Sequence, residues 1–125
     1  MDSFTMLFPV AISSHEMRDA LRKADFDASV QSTDAIGVCF GPASVWLDLT
    51  SSEDLSAAQR EDEVQWPIPR ERVALIATVS VRRNVESERL AVKLAHELVS
   101  AFGASILWDG MDQWEKLYRM YASPA

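Results

Sequence analysis

The chain has 125 residues, 48% apolar and 25% charged, with a formal net charge of −7. A chain of this size buries roughly two-thirds of its unfolded surface, so it needs neither disulfides nor metal to fold. Its composition excludes disorder, and its acidity disfavours nucleic acid and anionic membranes as partners while allowing a basic protein.

A single cysteine, Cys39, excludes an internal disulfide and a multi-cysteine zinc site, and suits a reducing compartment. It stands in the apolar run "AIGVCFG" and is expected to be buried and inert. The opening "MDSFTMLFPV" has no basic leader region, and no apolar run approaches the ~18 residues of a membrane span. The expected location is therefore the cytoplasm.

In "SFTMLFPV", Phe4, Met6, Phe8 and Val10 alternate with Thr5 and Leu7, which predicts a first strand. Pro9 marks an edge position or the strand's end. "SSHEMRDALRKADFD" follows, with Ser13 and Glu16 spaced as a capping box and Met17, Ala20, Leu21 and Ala24 at helical spacing. This predicts a helix over 14–24. Phe26, Ala28 and Val30 alternate next, then "IGVCF", then "SVWLDLT", with turns at "STDA" and "GPAS". These make a three-strand meander with a hairpin over 36–50.

Between about 51 and 70 the periodicity stops, and Pro67 and Pro69 forbid regular structure. Glu61, Asp62 and Glu63 form an acidic knot in this long loop. "RVALIATVSVRRN" is apolar on both faces in its first half, as a central strand is. "VESERLAVKLAHELVSAFG" predicts a helix with Leu90, Leu94 and Leu98 in one row and Gly103 past its end. "ASILWD" is a last short strand, and a terminal helix starts near Asp112. The order predicts one α+β domain over 1–125. It has a single mixed, mostly antiparallel sheet of about five to six strands, two main helices on one face and a C-terminal helix.

Chemistry is harder to find. The "HE" of His96 and Glu97 resembles the start of a zinc-protease helix, but position 100, where a second histidine is required, is Ser100. His96 falls with Arg89, Lys93 and Ser100 on the polar side of its helix and is expected to be solvated. There is no Gly-x-Ser-x-Gly elbow, and four glycines supply neither a dinucleotide fingerprint nor a phosphate loop. Asp109 and Asp112 read as acids favoured at a helix start. No catalytic, cofactor or metal residue is assigned, and the chain is expected not to be an enzyme.

Four tryptophans are many for this length. Trp46 and Trp108 fall in strands, and Trp46 is opposite in phase to the core residues of its own strand, so one sheet face is expected to be aromatic and uncovered by the two main helices, left either to the terminal helix or to a partner.

Over residues 73–118, an Ala/Leu helix leads into "GASILWD" and an aromatic, acidic tail. This resembles small immunity-type proteins of bacterial polymorphic toxin systems. The resemblance implies a cytoplasmic, non-enzymatic protein bound over the active site of a cognate toxin. Charge supports the same partner independently, since an acidic surface steers onto a basic cleft. The expected contacts are Glu53, Asp54, Glu61, Asp62 and Glu63, with Trp66, Trp46 and Trp108 as apolar anchors. The alternative is a secretion chaperone or adaptor that holds an effector, with a homodimer possible. A small-ligand protein or enzyme stands third.

Overall fold

The computed structural model describes residues 2–51 and 68–107, together with 116, 118 and 119. One six-stranded sheet organises them, in the order β2-β3-β4-β5-β1-β6. The strands are β1 (Asp2–Phe8), β2 (Asp27–Ser32), β3 (Ala35–Phe40), β4 (Ala43–Ser51), β5 (Leu75–Val81) and β6 (Ser105–Leu107). Two helices, α1 (Ser14–Lys23) and α2 (Val85–Phe102), and a 3-10 turn at Arg70–Arg72 join them, and Lys116, Tyr118 and Arg119 are helical. Every described strand pairing is antiparallel, so the expected mixed sheet is a purely antiparallel one here.

Local chemistry sets the elements. Ser13 and Glu16 form the expected capping box at the start of α1, each side chain accepting from the other's backbone N–H. At its end Asp25 takes a left-handed φ of 69°, with Phe26 N–H donating to the Leu21 carbonyl and Asp25 N–H to the Arg22 carbonyl. This is a Schellman-type stop with aspartate where glycine is usual. Asn84 caps α2 by accepting from Ser87 N–H at 2.7 Å, and Gly103 closes it at φ 68°. Gly41, at φ 59°, opens the two-residue loop between β3 and β4, the first central position that a tight hairpin gives to glycine.

One face of the sheet makes the core. Phe4, Met6 and Phe8 of β1, Ile36 and Val38 of β3, Val45 and Leu47 of β4, and Ala77, Val79 and Val81 of β5 are buried there. α1 lies against β2 and α2 against β4 and β5. Leu90, Leu94 and Leu98 of α2 are buried in the same cluster, each contributing about 1.5 to 3 kcal/mol. Pro9 follows the end of β1, which is an interior strand, and Val10 is exposed beyond it.

The crossovers place the two ends of the sheet. β5 and β6 flank β1 and both run antiparallel to it, so α2 connects two parallel strands. β4 and β5 are antiparallel neighbours, yet they are joined by residues 52–74 and not by a tight turn. That connection leaves from the Ser51–Leu75 end. The β3–β4 hairpin, the end of α1 and the start of α2 lie at the other.

Candidate functional site

Strand alternation turns Trp46 away from the helices. Val45, Leu47 and Leu49 enter the core, so Ser44, Trp46, Asp48 and Thr50 face the opposite side. Trp46 is 39% exposed, and its indole N–H donates to Asp48 Oδ1 at 3.0 Å, which satisfies its polar end and orients the ring. Register sets Gly37, Ser80 and Ser3 in its row, and Ala35, Thr78 and Thr5 in the row of Asp48. A cleft of about 400 Å³ lies beside it, lined by Ser44, Trp46, Ser80 and Arg82.

Of the two tryptophans expected to make this face aromatic, Trp46 lies on it and Trp108 is outside the described residues. Among the described residues Trp46 is its one aromatic, in a field of serine and threonine hydroxyls. Towards the Ser51 end the face turns apolar, where Leu7, Val73 and Ile76 are buried with Ile68 against them.

Of the expected contacts, only Trp46 lies among the described residues. Glu53, Asp54, Glu61, Asp62, Glu63, Trp66 and Trp108 lie outside them. Their sequence positions still locate the charge. Residues 52–67 hold five carboxylates against Arg60 alone, and 108–115 hold Asp109, Asp112 and Glu115 with no basic residue. Elsewhere acidic and basic side chains are equal in number, so these two segments account for the whole −7. β4, which carries Trp46 and Asp48, leads at Ser51 straight into the first of them.

Two further expectations are corrected. Cys39 is exposed. Alternation puts it on the face opposite Val38, and that face is open at this end of β3. Phe40, at the hairpin, is 75% exposed. His96 is half-buried, not solvated: its ring stacks on Tyr118 at a centroid distance of 3.7 Å, and its Nε2 lies 2.8 Å from the Tyr118 carbonyl. A carbonyl only accepts, so the His96 Nε2 is the donor in this contact. Tyr118 also packs against the main core, and burial pushes its phenol above the usual 10.0. This part of the tail thus docks on the helix layer and not on the Trp46 face.

A second cleft, of about 390 Å³, has no counterpart in the sequence reading. It opens where the end of α1, the start of β2, the β3–β4 hairpin and the first turns of α2 meet. Asp25, Phe26, Asp27, Cys39, Phe40, Glu86, Arg89, Leu90 and Lys93 line it. Its charged residues, Asp25 and Asp27 against Arg89 and Lys93, lie far apart in the sequence, which carried no signal for it. Among the described residues, no three His, Cys, Asp or Glu side chains converge as a metal site would need. No protein-family model, curated protein or solved structure matches this chain.

Proposed function

We propose that the chain is a non-enzymatic protein-binding module of the immunity type, which neutralises a cognate bacterial toxin in the cytoplasm by covering its basic active site. The observation that carries this reading is Trp46, an oriented and exposed indole on the sheet face opposite both helices. A tryptophan held this way is a common interface anchor. The acidic stretch that follows Ser51 in the sequence supplies charge for a basic partner, where complementarity speeds association.

The test is co-purification with the product of the adjacent reading frame, followed by binding kinetics. Changing Glu61, Asp62 and Glu63 to Gln, Asn and Gln slows association and flattens its salt dependence. Unchanged kinetics reject the acidic stretch as the contact. Capture of an unfolded segment of a secreted effector, with no toxin bound, moves the assignment to a secretion chaperone.

A further inference from the structure

The cleft at the hairpin end has two walls of opposite sign. Arg89 and Lys93, one helical turn apart, stand on α2, with Glu86 in its first turn. Asp25, in its left-handed turn, and Asp27, the first residue of β2, follow each other along the corner between α1 and β2. Among the described residues, none of these five side chains forms an ion pair. Phe26 and Leu90 give the cleft an apolar lining, and Phe40 stands 75% exposed at its rim.

We infer that this cleft is a two-fold homodimer interface, in which Phe40 of each copy enters the cleft of the other. Charge selects the occupant. A basic partner meets Asp25 and Asp27 favourably but is opposed by Arg89 and Lys93, and an acidic partner meets the reverse. A two-fold axis brings the α2 wall of each copy against the α1–β2 corner of the other, so both walls are matched at once. An exposed aromatic at the edge of such a cleft is available to anchor the second copy, and aromatics are enriched in interfaces. This inference does not rest on the proposed function. β4 ends at Ser51, at the end of the sheet opposite this cleft.

Sedimentation velocity on the full chain over a dilution series tests it. The expected species has twice the 14.0 kDa of the chain. Phe40→Ser, with folding checked by circular dichroism, weakens the dimer about 30-fold or more. Two wall variants separate charge from general damage. Arg89→Glu with Lys93→Glu makes both walls acidic, and Asp25→Asn with Asp27→Lys removes the acidic corner. Each alone sediments as a monomer, and an equimolar mixture recovers a one-to-one dimer. A wild-type chain that stays monomeric at the highest concentration overturns the inference. So does a dimer indifferent to Phe40→Ser, or a mixture of folded wall variants that fails to associate.

Discussion

His96 and Tyr118 lie face to face, their planes 14° apart, although 22 positions separate them. The contact fastens the tail to α2 by one stacked pair and one hydrogen bond. Tyr118→Ala is expected to lower stability by about 2 kcal/mol, because it removes the ring from both His96 and the core. His96→Ala should cost about 1 kcal/mol. In urea unfolding the double variant should lose about 1 kcal/mol less than the two single losses together, since both remove the same pair.

The same tyrosine sets an alkaline limit. Its folded pKa lies above the unfolded value of 10.0, so its contribution is complete below pH 10 and is lost as pH rises through the raised folded value. Thermal midpoints should therefore fall above pH 10 in the native chain. Tyr118→Phe should fall less over the same range. Equal slopes would remove Tyr118 as the cause.

Much of this fold could be read from residue order. Phe4, Met6 and Phe8, the leucine row of α2 and the outward phase of Trp46 all follow from period two or period 3.6. Cys39 could not be placed that way. Its exposure depends on which layer covers the outer face at the end of β3, and an apolar run looks the same whether one face is covered or both. His96 could not either, because its partner comes from outside the helix. The charged cleft joins residues from four elements that only the topology brings together.

Ser87 is a buried hydroxyl with a defined duty. It accepts the Ser44 backbone N–H at 2.9 Å and so ties the start of α2 to β4. Ser87→Ala strands that donor and should cost about 1 to 2 kcal/mol in urea unfolding.

Gly103→Ala isolates a backbone effect. A methyl group there would meet Pro9 Cγ at 3.9 Å, an ordinary contact, so packing is not the obstacle. The left-handed φ of 68° is, and the loss should be about 1 kcal/mol by thermal or chemical denaturation.

Trp46 carries the opposite expectation. Being 39% exposed, it should contribute less to folding than a core residue, and Trp46→Ser should cost no more than about 2 kcal/mol in stability. Affinity for the cognate partner should drop about 30-fold in a calorimetric titration. A variant that loses stability while keeping its affinity would make Trp46 a packing residue.

The interior position of β1 governs the order of assembly. Its two neighbours are β5 and β6, made from residues 75–81 and 105–107. On the ribosome the strand that emerges earliest must wait for both, carrying Phe4, Met6, Leu7 and Phe8 without their final cover. The β2–β3–β4 meander can close long before that. Synthesis therefore leaves the apolar side chains of β1 without their sheet neighbours until residues 75–107 have been made, an interval in which such surface is prone to aggregate.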